Sequence, residues 1–294
     1  MHKERIKKLL TFLGKILGIL GLVFIFYTLS QEYTWTSFAN KFNFILPLLP
    51  LLFLLNILSI ILGIYAWHDM LLHYASHHFS FITSYYYFAK TEIAKYLPGN
   101  IFHFIGRQAL ASKVGISQLE MGKTSLLFSL LLLASTIIAS TIFALFATDI
   151  PLYILVLMIV GTVATVVAIV MSYKSFPTRT KVKMNLFLIL SVSLQGIMLA
   201  SIVFYQLKSF DFGLFIQCTS IYIISWLIGF VTPGASGGLG VREGTFVAIV
   251  HFLYLPISSE IIIFSVLLVR LINILTDILL YLSTFMLKSK IQTS

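Results

Sequence analysis

The amino-acid sequence predicts an all-α fold: a polytopic integral membrane helix bundle, forming a single transmembrane domain over residues 1–294. Three observations predict it. Hydrophobic residues make up 59% of the chain, charged residues 10%, and the mean hydropathy is +1.00. An ordinary soluble domain is about 45–50% apolar and about 25% charged, so this chain lacks the polar surface to cover a water-soluble core. The apolar residues fall in long unbroken runs, whereas a membrane β-barrel alternates apolar and polar positions. Finally, the longest polar stretches are only about a dozen residues, which leaves no room for a soluble domain.

A helix crosses a bilayer with about 20 apolar residues. Runs of that kind occupy 9–29, 44–66, 124–147, 151–172, 185–206, 213–231 and 261–287. The first is preceded by basic residues, as in a signal peptide. It lacks a small-residue cleavage site and is read as a retained helix. Segment 243–256 is too short to cross unless it is half of a broken helix. Segment 81–106 is interrupted by Lys90, Glu92, Lys95 and Pro98-Gly99, and reads as a re-entrant hairpin or broken helix. Seven or eight crossings result.

The net charge of +10 matters less than where the charges lie. Lys3, Arg5, Lys7, Lys8, Arg107, Lys113, Lys123, Lys174, Arg179, Lys181, Lys183, Lys288 and Lys290 fall on one side of this layout; the opposite loops hold Lys41 and Lys208. The positive-inside rule then places both termini in the cytoplasm, for a multi-pass protein of the plasma membrane. The cations border lipid, so no nucleic-acid partner is expected. Tyr33, Trp35, Trp67 and Tyr85-Tyr86-Tyr87 read as interfacial anchors. A lone cysteine, Cys218, excludes an internal disulfide.

Two segments match each other. One runs from Glu92 through Pro98, Gly99, Asn100 and His103 to Gly106 and Arg107. The other runs from Pro233 and Gly234 through Gly237, Gly238 and Gly240 to Arg242, Glu243 and Gly244. Each reads Pro-Gly, seven further residues, then Arg, and each lies between apolar helices. Proline removes a backbone donor and ends the preceding helix. Unwound backbone at membrane depth survives only inside protein or beside a wet cavity. The next helix then starts within the membrane with free N–H groups and a positive dipole end, which suits an anion. Transporters use paired interrupted helices in this way. The plain alternative is a tight interfacial loop whose Arg snorkels. On the first view, Arg107 and Arg242 hold one anionic headgroup in the same manner. Whether the halves repeat in parallel or inverted fashion is left open by the charges.

Leu97-Pro98-Gly99-Asn100 with His103, Gly106, Arg107 and Gly115-Ile116-Ser117 resembles the first signature of the lysylphosphatidylglycerol synthase transmembrane (flippase-like) family. Pro233-Gly234 with Gly237-Gly238-Leu239-Gly240-Val241-Arg242-Glu243-Gly244 is similar to the second, and Arg270 to a late arginine. The match follows the span order along nearly the whole chain. Ala235-Ser236 stands inserted where many members run Pro-Gly-Gly directly. The resemblance implies movement of an anionic or lipid-linked substrate between leaflets. In bifunctional members the same region is joined to an aminoacyl-transferase domain. The present chain ends at Ser294 soon after its last span, so synthase activity is not expected.

Intramembrane charges are costly and are candidates for function. Arg270, Asn273 and Asp277 share one helical face, with Arg270 and Asp277 two turns apart and obliged to find partners elsewhere. Glu243 is the first expected partner of Arg270, and Asp277 is placed near the cytoplasmic end. Glu92 and Lys95 are spaced to pair. Lys90 is expected to reach the interface, and Asn56 and Gln195 to bond between helices. His68, Asp69, His73, His77 and His78 cluster, but they read as interfacial residues; no metal and no cofactor is expected. The substrate-binding candidates are therefore Pro98, Gly99, Asn100, His103, Arg107, Pro233, Gly234, Gly237, Gly238, Gly240, Arg242, Glu243 and Arg270. No catalytic constellation stands out, so an enzyme is not expected. The alternative functions are an integral membrane enzyme or subunit of lipid-linked glycan or lipid modification, and a scaffold beside envelope-biosynthesis proteins.

Overall fold

The computed structural model describes residues 35–75, 78–96, 102–110, 115–147, 150–172, 176–232, 238 and 240–291. Its secondary structure among these residues is helical throughout. The run 9–29 and both termini lie outside the described residues, as do Pro98, Gly99, Asn100, Pro233, Gly234 and Gly237.

Helix α1 (Trp35–Ile45) passes through a 3-10 turn (Leu46–Leu48) into α2 (Leu49–Tyr74). Then follow α3 (Phe81–Glu92) with a 3-10 turn (Ile93–Tyr96), α4 (Phe102–Leu110), α5 (Gln118–Leu145), α6 (Leu152–Ser172), α7 (Thr178–Leu207), α8 (Phe212–Val231), α9 (Val241–Phe252) and α10 (Ser259–Ile291). Six helical stretches are long and apolar enough to cross a membrane: Ala39–Tyr74, Gln118–Leu145, Leu152–Ile169, Thr178–Leu207, Phe212–Val231 and Ser259–Leu287. The chain is a multi-pass membrane protein. These stretches coincide with the six predicted spans after the first. Most run past the predicted limits, because polar residues near a span end can continue a helix beyond the hydrocarbon.

Short polar side chains set several helix starts. Ser117 and Glu120 form a reciprocal capping box on α5. The Asp211 carboxylate accepts from the Leu214 N–H at the start of α8. Ser80 does the same for α3 through Thr83.

Helices α2, α7, α8, α9 and α10 enclose one apolar core, including Leu52, Met198, Tyr222, Phe246 and Phe264. A second core joins α2, α3, α5 and α7 around Trp67, Phe88 and Phe128. By contrast, α6 is apolar on every side and packs mainly on α5, with Leu152, Leu157 and Val160 at least 60% exposed. A helix apolar all round belongs either in a core or in lipid, and the exposure of α6 assigns it to lipid.

The ends of the helices sort into two faces. At one, Lys41 pairs with Glu260 at 2.8 Å and Lys208 lies over the Phe44 ring. At the other, Lys183 pairs with Asp69 at 2.9 Å and His73 stacks on Phe176 at 3.8 Å. Several anchor assignments are corrected. Trp67 is 1% exposed and packed edge-on against Phe88, while Tyr86 and Tyr87 are buried in the same core. Each side chain faces a neighbouring helix, which a position along the sequence does not reveal. Lys90 is exposed, and its Nζ donates to the Tyr86 hydroxyl at 3.1 Å. His68 bonds the Ser84 hydroxyl at 2.8 Å.

Asn56 and Gln195 bond between helices, as anticipated. The Asn56 amide donates to Thr276 Oγ1 at 2.9 Å, and Gln195 donates to Asn56 Oδ1 at 2.6 Å and Ser59 Oγ at 3.1 Å. Replacing Asn56 by alanine strands polar groups on α7 and α10. The expected cost is about 1–2 kcal/mol, read as an earlier thermal transition of the detergent-solubilised protein.

Candidate functional site

The first interrupted segment is built from helices too short to cross. At 1.5 Å per residue, α3 is about 18 Å long and α4 about 13 Å, against a hydrocarbon core of about 30 Å. The arm α3 begins at the Asp69–Lys183 face, where Tyr85 bonds Ser283 at 2.7 Å. Its 3-10 extension reaches Asp277 in the interior of α10. The arm α4 turns back, placing the Arg107 guanidinium over the Trp67 ring. The described arms α3 and α4 pack against each other within the bundle, on either side of a break that lies outside the described residues.

The second segment runs the other way. Helix α8 starts beside Lys208 and crosses; α9 returns towards the Lys41–Glu260 face, where His251 meets Ser259. Two glycines permit the close packing at the second break. A Cβ on Gly229 would lie 2.9 Å from Arg242 Cβ, and Gly238, at φ 72°, rests against the Gly229 backbone. Gly240, at φ 78°, precedes α9, and its N–H donates to Glu243 Oε2 at 2.8 Å. Replacing Gly229 by alanine should push Arg242 out of place. The expected penalty is about 1–3 kcal/mol, visible as a lowered thermal transition.

The hairpins meet at a cavity of about 190 Å³. Asn56 and Ser59 of α2, Leu132 of α5, Ser191 and Gln195 of α7, and Asn273 of α10 line it, each near the middle of its span. Glu92, Lys95, Tyr96, His103 and Arg107 reach it from the first hairpin, and Tyr222, Trp226 and Arg242 from the second. Arg270 and Asp277 line it as well. Four cations and two carboxylates thus line the cavity, an excess of two positive charges.

An ion chain ties the first hairpin to α10. Arg107 Nη2 donates to Glu92 Oε2 at 2.6 Å, Lys95 contacts Glu92 Oε1 at 3.2 Å, and Lys95 pairs with Asp277 Oδ2 at 2.9 Å. The Tyr96 hydroxyl donates to the same Asp277 oxygen at 2.6 Å. The Arg270 guanidinium and the Lys95 ammonium each lie 5.4 Å from the Tyr96 ring centre, so that ring meets two cations. On the second hairpin Arg242 donates to the Tyr222 hydroxyl at 3.3 Å.

Of the predicted site residues that are described, His103, Arg107, Arg242 and Arg270 line one cavity, and Gly238, Gly240 and Glu243 support Arg242 from the adjacent turn. The two motif arginines are not equivalent. Arg107 is 2% exposed, bound to Glu92, and covered by the Phe88 ring at 4.3 Å. It was counted among the loop cations of the charge rule; it belongs to the interior instead. Asp277, placed by sequence near the cytoplasmic end, lies in the cavity, where the 3-10 turn Ile93–Tyr96 brings Lys95 to it. Glu243 accepts from the Gly240 N–H at the start of α9 and also lies within electrostatic range of Arg270, its expected partner. The expected Glu92–Lys95 pair forms. Tyr96, Tyr222 and Trp226 escaped the sequence reading; Tyr96, two residues before Pro98, carried a signal in its nearness to the break.

No protein-family model and no curated protein matches the chain.

Proposed function

We propose that this protein is a flippase-like membrane transporter that carries an anionic or lipid-linked substrate between leaflets, with the anion held at the Arg242–Arg270 side of the cavity. The observation that carries this proposal is a cavity with an excess of cations, lined by residues near the middle of the spans and by the helices that flank both Pro-Gly breaks. Charge in such a place is expensive and is retained where it meets a ligand. Arg107 and Lys95 already answer Glu92 and Asp277. Arg242 and Arg270 add two further cations to the lining, beside a glycine turn that brings backbone close. This fits the resemblance to the lysylphosphatidylglycerol synthase transmembrane family, read without synthase activity. The test is movement of a fluorescent phosphatidylglycerol in proteoliposomes, read by bleaching with an impermeant reductant. Bleaching beyond the outer-leaflet fraction is expected with the parent and less with Arg242→Lys. Protein-free rates with the folded parent would refute the proposal.

The proposal includes the plasma membrane as location and cytoplasmic termini. A cysteine at Ser175, in a Cys218→Ser background, should resist an impermeant thiol reagent added to intact cells and react after permeabilisation. Labelling from outside would reverse the orientation.

A further inference from the structure

The two carboxylates of the cavity are bound in different ways. Glu92 has a cation on each oxygen, Lys95 on Oε1 and Arg107 on Oε2. Asp277 has both partners on one oxygen: Lys95 Nζ at 2.9 Å and the Tyr96 hydroxyl at 2.6 Å meet Oδ2. Its Oδ1 is buried with no hydrogen-bond partner among the described residues, and the residue is 3% exposed. An ionised carboxylate only accepts hydrogen bonds; a protonated one also donates. A proton arriving at Asp277 Oδ1 therefore displaces no donor, whereas at Glu92 it would have to displace a lysine or an arginine.

Helix α10 packs on α2, α3, α7, α9 and the 3-10 turn Ile93–Tyr96. The turn supplies Lys95 and Tyr96, and α3 supplies Glu92. From α9 come Arg242, in the cavity lining, and Glu243, bound to the Gly240 N–H. Asn56 of α2 bonds Thr276 beside Asp277, and Gln195 of α7 bonds Asn56, so at this level these two helices offer neutral groups. On α10 itself Arg270 lies two turns away, also in the lining. An anion drawn to these cations meets the negative charge of Asp277, to which Lys95 is tied. Protonation of Asp277 removes that charge and releases Lys95 towards the anion.

We propose that Asp277 is a proton-carrying group and that the protein moves its anionic lipid together with a proton. The proposal rests on the functional reading above and adds a driving force. As the headgroup reaches the cavity, a proton from water binds Asp277 Oδ1 and the carboxylate becomes a neutral acid. Lys95 keeps its own protons and turns from Asp277 to the headgroup. On the opposite side the lipid leaves, the proton returns to water, and the Lys95–Asp277 pair forms again. Coupling between two bound ligands is reciprocal, so the proton and the anion favour each other to the same degree. Carboxylates within membranes serve proton relays because their charge is costly there. His103 also lines the cavity and has a buried Nδ1 with no hydrogen-bond partner among the described residues. It stands four residues from Arg107 on α4, where a second positive charge is opposed, and its protonation would leave Lys95 tied to Asp277.

Proton uptake on lipid binding supplies the measurement. Dihexanoyl phosphatidylglycerol is a soluble probe whose phosphodiester keeps its single charge from mildly acidic to mildly alkaline pH. It is titrated into the full chain in uncharged detergent, weakly buffered, with a pH-indicator dye. The parent should take up about one proton per lipid bound, and its affinity should fall about tenfold per pH unit where Asp277 must gain that proton. Asp277→Asn should bind the lipid with no uptake and no pH dependence. Tyr96→Phe keeps the ring and removes a donor to the charged form of Asp277, so the fall in affinity should move to higher pH. His103→Gln should keep the uptake per bound lipid, whatever its affinity. Binding by the parent without proton uptake overturns the coupling and leaves the anion site standing. Uptake that persists in folded Asp277→Asn, or vanishes in His103→Gln, places the proton elsewhere and overturns the assignment. If Asp277→Asn does not fold, Tyr96→Phe decides, and an unmoved pH profile overturns the assignment. If the folded parent binds no lipid, the functional reading falls and the coupling falls with it.

Discussion

Replacing Arg242 by lysine should weaken binding of an anionic lipid by about 10- to 100-fold although the charge is kept, because a charge-assisted hydrogen bond is worth about 1.5–3 kcal/mol and lysine cannot reproduce the planar fork of arginine. The cavity places Arg242 beside Tyr222, with its Cβ against Gly229, so the fork is aimed by packing as well as by charge. The same change at Arg107 should affect binding much less, since that guanidinium is committed to Glu92 and to the Phe88 face. Lipid titration of both variants, at matched thermal stability, checks the contrast. Equal losses at the two positions would restore the symmetric picture that their matching sequence spacing suggests.

The largest stability effect is expected at Glu92. Its carboxylate holds Arg107 at 2.6 Å and Lys95 at 3.2 Å, while Lys95 also serves Asp277. Removing one partner of a buried pair leaves an uncompensated charge and costs about 3–5 kcal/mol. Glu92→Ala should therefore lower the thermal transition more than any single change at the exposed Lys90. A second substitution, Arg107→Met, should recover much of the loss, because it removes the stranded charge and keeps side-chain volume beside Phe88 and Phe104. A Glu92→Ala protein with an unchanged transition would show that the ion chain does not hold the hairpin. Failure of the double variant to recover would locate the loss in packing.

Much of this architecture is legible in the sequence. The runs 44–66, 124–147, 151–172, 185–206, 213–231 and 261–287 announce themselves by length and composition, the features a bilayer selects. The break in 81–106 is legible because charges and Pro98-Gly99 interrupt an apolar run, and 243–256 because it is too short to cross. The partners of the intramembrane charges are another matter. Lys95 and Asp277 are far apart in sequence and meet because the 3-10 turn after α3 reaches the middle of α10. Periodicity assigns a residue to a face of its own helix and is silent on which helix that face meets. Trp67 illustrates the point: at the end of a predicted span it looks like an interfacial anchor, yet α3 and α4 fold over it and bury it under Arg107.

The most direct measurement is native mass spectrometry of the full chain released from mild detergent, comparing the parent with Arg242→Ala and with Lys208→Ala, which removes an exposed cation far from the cavity. An anionic phospholipid should remain bound to the parent and to the Lys208 variant through activation that strips detergent, and should be lost from the Arg242 variant. Retention of the same lipid by folded Arg242→Ala, or equal retention of zwitterionic lipid by the parent, would contradict an anion site at this cavity.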